Sequence, residues 1–328
     1  MNVNYENRIR CNFNAKVYNL AGMDNRFGRE LRMLFFFVLI GLLSACGENT
    51  PVVSVSTELP TESAVPTATL TPLPPTATPI PMAVIVNGDG ITLDEYEDEL
   101  QRYLSVQETA TSGNQDDAEK VVLEDLISQL LLAQGADQNG FELSEAEFKS
   151  RLNDLVSAAG GEQAFDLWLQ NQNYSQENFR KVLERSIKGA WMRDQILAGV
   201  PPSAEQVHVQ QILLYNSDQA SKALAEIESG RDFATVAADY DPITLGDLGW
   251  FPRNFLPHPE IEEAAFNLEP GEHSQVIETS VGYHIIMVVE KDMDRRLSPE
   301  ARMVWQEKAL RDWVAMQREQ SNIIMSPQ

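Results

Sequence analysis

Between Gly246 and Glu290 the chain gathers side chains that could act together on a ligand. Gly246-Asp247-Leu248-Gly249-Trp250-Phe251 comes first, followed by Glu262-Glu263-Ala264-Ala265-Phe266 and Glu269-Pro270-Gly271-Glu272. The stretch closes on Val281-Gly282-Tyr283-His284-Ile285-Ile286. His284 and Thr279 bring groups that both donate and accept hydrogen bonds, while Leu248, Leu256 and Ile261 bring apolar surface. Upstream, Gln211 adds an amide and Asp241 a carboxylate. Each short run is common alone. Four of them in one order over about 45 residues are not.

That order and spacing resembles the parvulin family of peptidyl-prolyl cis/trans isomerases, in the form attached to secreted folding factors. The reaction this resemblance implies turns a prolyl peptide bond over a barrier of about 18–20 kcal/mol. No bond is broken, so the chemistry calls for no nucleophile, metal or cofactor. It calls for an apolar socket for the pyrrolidine ring, a non-aqueous setting for the twisting carbonyl, and hydrogen bonds that favour the twisted amide over the planar one. By position, the resemblance assigns the socket to Leu248, Leu256 and Ile261, the last where parvulins usually carry Phe. It assigns the polar network to His284, Thr279 and an acidic or cysteine group from the loop after the module's second helix, for which Asp241 is the candidate. Core packing is the other reading of the three apolar residues, and a hydrogen-bonded strand histidine the other reading of His284.

Two departures bear on activity. The family's first strand usually reads His-Ile-Leu, and this chain has Gln211-Ile212-Leu213. Glutamine still donates and accepts, but it does not titrate or exchange tautomers with His284. His208 lies three residues earlier, an odd offset that puts it on the opposite strand face. The loop Asp239-Tyr240-Asp241-Pro242-Ile243-Thr244-Leu245 is also shorter than usual. Two functions therefore stand side by side: a foldase that binds unfolded chains and isomerises X-Pro bonds, and a chaperone that uses the same fold for binding only.

The elements around these residues predict an α+β protein, with a parvulin-like domain over 203–292 inserted in or appended to a mainly helical domain. Residues 207–214 read as a buried strand, Ser217–Ser229 as a helix, Asp232 as the cap of a second, and Pro259–Asn267 as a third. Strands follow near 274–278 and 283–290. Ahead of them, over 83–200, Ala83-Val84-Ile85-Val86-Asn87-Gly88 reads as a strand and turn, and Thr92-Leu93-Asp94-Glu95 has capping-box spacing. That opening resembles the N-terminal module of the SurA and PrsA chaperone-isomerases. Apolar periodicity predicts helices over Asp117–Asp137, from Ser144, over Gln163–Asn171, and from Ser175 to a stop at Gly199, Pro201 and Pro202. Ser298-Pro299 opens a last amphipathic helix, within 297–328, whose stripe one helix cannot bury alone. It is expected to return to the earlier helices.

The start of the chain speaks of location. Leu34–Ala45 is a run of 12 residues, apolar apart from Gly41 and Ser44, preceded by Arg26, Arg29 and Arg32. It is too short to span a bilayer and has the layout of a secretory signal. Leu43-Ser44-Ala45-Cys46 resembles the bacterial lipobox, which implies acylation of Cys46 and a lipid anchor on the outer side of the cytoplasmic membrane, or a periplasmic or outer-membrane place in a two-membrane cell. Met23 opens the more typical signal, which leaves Cys11 in the leader over 1–45 and no pair for a disulfide in the mature chain. From Thr50 to Pro81 eight Pro and eight Thr fall in 32 residues, the composition of an extended stalk over 46–82. Residues 1–45 hold 6 of the 25 Lys/Arg and 3 of the 49 Asp/Glu, so the rest sits near −27. Such a charge argues against nucleic acid, whose binding needs basic patches. It serves solubility, or a preference for cationic or neutral unfolded exported clients. About 245 residues from Ala83 onward suffice for two packed domains.

Overall fold

A computed structural model describes residues 80–107 and 115–326. The leader, Cys46 and nearly all of the Pro/Thr-rich stretch lie outside the described residues. The chain opens with strands β1 (Met82–Val86) and β2 (Asp89–Thr92), an antiparallel hairpin whose turn residues Asn87 and Gly88 both have positive φ, 53° and 100°. Helices α1 (Leu93–Gln107), α2 (Gln115–Gln138), α3 (Glu145–Ala159), α4 (Glu162–Asn171) and α5 (Gln176–Ala198) follow. Ser144 and Glu147 close a reciprocal capping box on α3, and Gly160 ends it in the left-handed conformation. At α1 only half of the expected box forms. Thr92 Oγ1 accepts the Glu95 N–H at 3.2 Å, but the Glu95 carboxylate turns inward to the buried Arg185 guanidinium on α5. A buried guanidinium makes a stronger demand on that carboxylate than a helix terminus does.

Strand β3 (Ser203–Leu214) leaves this helical body, and β6 (Gly282–Arg296) leads back to it. Between them lie α6 (Ser217–Glu228), α7 (Phe233–Tyr240), β4 (Asp247–Pro252), α8 (Pro259–Asn267) and β5 (Ile277–Thr279). The sheet order is β4-β3-β6-β5, antiparallel throughout. Side chains alternate across it as strand geometry requires. Ile212, Leu214 and Ile285 pack beneath α6 and α7 with Ala223, Phe233 and Val236. On the other face Val207, Val209, Ile286 and Val288 pack under α8 with Ile261, Ala265 and Phe266. Pairing runs further than the sequence suggests, from Ser203↔Arg296 to Leu214↔Tyr283, with bulges that absorb the extra length.

The last helix, α9 (Pro299–Gln320), is capped by Ser298, whose Oγ accepts the Ala301 N–H. Its second half packs on α2 and α5: Leu310, Trp313 and Val314 join Leu132, Ala136 and Met192. The Trp313 ring lies in a notch at Gly135, where an added Cβ would stand 2.5 Å from it. A strand that the periodicity does not reveal, β7 (Ile323–Met325), then pairs with β1 to complete a sheet of order β2-β1-β7. Asn87 fastens that junction, donating its backbone N–H to Asn322 O and accepting the Asn322 N–H on its side-chain oxygen, both at 2.9 Å.

Candidate functional site

The site forms where β3, β5 and β6 present their α8-side residues beside the start of α8. Register places Leu213 opposite His284 and Gln211 opposite Ile286, so Gln211 and His284 are diagonal neighbours on one face. His284 is buried, 3% exposed. Its Nε2 meets the Thr279 hydroxyl at 2.9 Å, and its Nδ1 faces Gln211 Oε1 at 3.4 Å, the long end of hydrogen-bond range. Thr279 Oγ1 also donates to Gly282 O at 3.2 Å and accepts the Val281 N–H, which fixes the β5–β6 turn around the imidazole. A glutamine amide carries an acceptor and donors at one end, so Gln211 meets either neutral tautomer of His284 by turning over.

Burial holds His284 below the ordinary imidazole range, and the neighbouring His258 pushes it the same way. The two rings lie 6.2 Å apart. His258 is the N-cap residue of α8, ahead of Pro259 at the first helical position. Sequence reasoning passed over it, although a histidine immediately before a helix-starting proline was the available signal.

Leu248, Leu256 and Ile261 come together in one apolar cluster with Phe251, Phe255 and Phe266. Ile261 is buried within it, while Leu248 and Leu256 are half-buried and keep surface for a ligand. The loop that carries Leu256 is gripped by a residue that sequence reasoning also missed. The Glu262 carboxylate accepts the backbone N–H groups of Asn254, Phe255 and Leu256 at 2.7, 2.6 and 2.5 Å. Charge-assisted bonds of this kind are among the stronger ones.

Asp241 is placed differently from the polar network expected of it. Its carboxylate accepts the Ile243 and Thr244 N–H groups at 3.1 Å each and bonds the Thr244 hydroxyl, all within its own loop. Those bonds, the Thr244 hydroxyl first, lower its pKa. The loop returns to the sheet through Gly246, whose carbonyl accepts the Gln211 N–H at 2.7 Å. Gly246 has φ +75°, and a Cβ there would stand 2.3 Å from Gln211 O, so no other residue fits without movement. The adjacent Asp247 pairs with His208 at 2.8 Å, and His208 stacks on Trp250, away from His284.

The site thus offers a buried neutral imidazole held by two hydrogen-bonding partners beside a half-open apolar surface. Such an arrangement suits binding and twisting an amide rather than cleaving it. Residues 196–290 match the profile of the PPIC-type PPIase domain, and residues 74–193 that of the SurA-like N-terminal domain. The foldase protein PrsA of Halalkalibacterium halodurans is 31% identical over 227 residues, 60% of this chain and 67% of that protein. PrsA of Caldanaerobacter subterraneus subsp. tengcongensis is 29% identical over 62% of this chain and 72% of its own. Among solved structures, the peptidylprolyl isomerase PrsA from Bacillus cereus aligns over 70% of this chain and 82% of its own, with 20% identity and a TM-score of 0.39. With both profiles matched in sequence order and a 31% identical relative matched over 67% of its length, the chain belongs to the PrsA foldase family.

Proposed function

We propose that this folding factor acts on unfolded, proline-containing exported polypeptides and turns their X-Pro bonds at the surface formed by Leu248, Leu256 and Ile261 beside His284. The observation that carries the reading is the imidazole fixed between Thr279 and Gln211 at the edge of that surface. A planar amide is more polar than a twisted one, because twisting removes the resonance charge separation. An apolar socket therefore favours the twisted form, and a hydrogen bond made only in that form adds to it. His284 supplies the positioned polar group, Thr279 orients it, and Gln211 satisfies its second nitrogen.

A binding-only chaperone is the second reading, favoured by the long Gln211 contact and by the closure of Asp241 on its own loop. Cis-to-trans relaxation of a short proline peptide separates the two. His284→Ala is expected to slow catalysed relaxation roughly ten- to hundredfold, the effect of losing about 1–3 kcal/mol from the transition state. Gln211→Ala is expected to matter less, and Gln211→His to raise the rate. Wild-type relaxation equal to the uncatalysed background, unchanged in Gln211→His, favours the second reading.

The proposed setting is outside the cytoplasmic membrane. It rests on the basic and apolar leader and on Cys46, which would carry the lipid, with the Pro/Thr-rich segment spacing the folded part from the bilayer by up to roughly 100 Å at about 3.1 Å per residue. Among the described residues no helix is long and apolar enough to cross a membrane. Acylation of Cys46 would supply that attachment.

A further inference from the structure

The loop Arg253–Leu256 forms one wall of the apolar surface, and its backbone is held from two directions. From inside the module, Glu262 on α8 takes three of its N–H groups. From outside, the indole N–H of Trp305 on α9 donates to Arg253 O at 2.8 Å, a bond between residues 52 apart in the chain. Within the module the Arg253 side chain lies over the Phe266 ring at 4.0 Å and 3.5 Å from Glu205, while its carbonyl takes the bond from α9. The helix that supplies Trp305 is anchored elsewhere. Eight residues on, Trp313 sits in the Gly135 notch of α2, and Arg318 pairs with Glu124. Eight residues of helix amount to about 12 Å of rigid rod. One end touches the wall of the prolyl surface and the other is packed into the helical body.

We propose that Trp305 is a positioning residue for the isomerase site, and that through it the helical body sets the place of Leu256. This rests on the reading of Leu248, Leu256 and Ile261 as the proline surface. A loop fixed only by Glu262 could still shift as a unit with α8. The Trp305 bond ties it to a second frame, so the width of the surface depends on how α9 is seated. The contact binds ground state and transition state alike, because it shapes the surface rather than touching the rotating amide. Its loss should therefore appear in KM more than in kcat.

The test compares the full chain with Trp305→Phe, which removes the N–H and keeps an aromatic ring. The readouts are peptide relaxation kinetics, peptide affinity by NMR titration, thermal unfolding, and the amide shifts of residues 254–256. The expected result is a KM and a peptide dissociation constant raised about two- to tenfold, the range of one lost hydrogen bond. The kcat and the unfolding temperature should stay near wild type while the 254–256 amides move. Trp305→Met makes the same comparison should the phenylalanine variant fold poorly. Wild-type KM, affinity and amide shifts in the variant overturn the proposal. If the wild-type chain shows no relaxation, the catalytic reading fails, and the affinity comparison alone then decides the role of Trp305.

Discussion

At the scale of single residues, His284, the proposed polar group of the site, also bears on stability. Its pKa is lowered in the folded chain, first by burial and then by His258. Above the ordinary histidine pKa of about 6.5 both folded and unfolded states hold it neutral, and its contribution does not vary. Below that value the unfolded chain takes up a proton that the folded site resists, so stability falls with pH until the folded pKa is passed. Unfolding followed between pH 8 and 5 is expected to show this loss, and His284→Gln to remove part of the slope. A slope identical in the variant would place the acid sensitivity elsewhere. His284 and Thr279 were legible as a pair because the β5–β6 turn joins them locally, five residues apart. His258, Glu262 and Trp305 were not. Their partners depend on how α8 and α9 land on the sheet; the proline after His258 marks a helix start, but no local spacing announces the partners.

Among the elements, the junction of β3 with the loop from α7 is the least tolerant. Gly246 combines a left-handed backbone with an approach to Gln211 O that leaves no room for a side chain. Gly246→Ala is expected to destabilise the chain by about 2–4 kcal/mol, seen as a lowered denaturant midpoint. A change below about 0.5 kcal/mol would mean that the loop moves freely and does not hold Gln211. Most helices and strands were readable in advance from caps and periodicity: Ser144 with Glu147, Ser175, Asp232, and Ser298 with Pro299 all cap where their spacing predicts. The extension of β6 to Arg296 was not, because its outer half is paired through bulges and carries charged residues that break the alternation. Short β7 escaped for a related reason: three residues carry no period, and only the pairing with β1 makes them a strand.

For the whole molecule, the expectation that residues 83–200 and 297–328 behave as one cooperative unit follows from α9 and β7. Deleting 297–328 would expose Leu132, Ala136 and Met192 and leave β1 paired on one side only, with β2. The truncated chain is expected to lose the cooperative melting of its N-terminal helices, while the β3–β6 module keeps a transition of its own. Unchanged melting of those helices would make the unit contiguous instead. Cys46→Ser is expected to abolish labelling by radioactive palmitate and to release the protein from the membrane fraction. Unchanged labelling and partitioning would rule out the anchor. The pairing of β1 with β7 also has a consequence in time. A chain made N-terminus first at roughly 5–20 residues per second leaves β1, already paired with β2, waiting on the order of 10–50 s for its second partner 237 positions later. The inserted module holds all its own strands and can fold during that interval. A protein that assists the folding of others would thus have to finish its own helical half after its inserted module, once β7 had emerged.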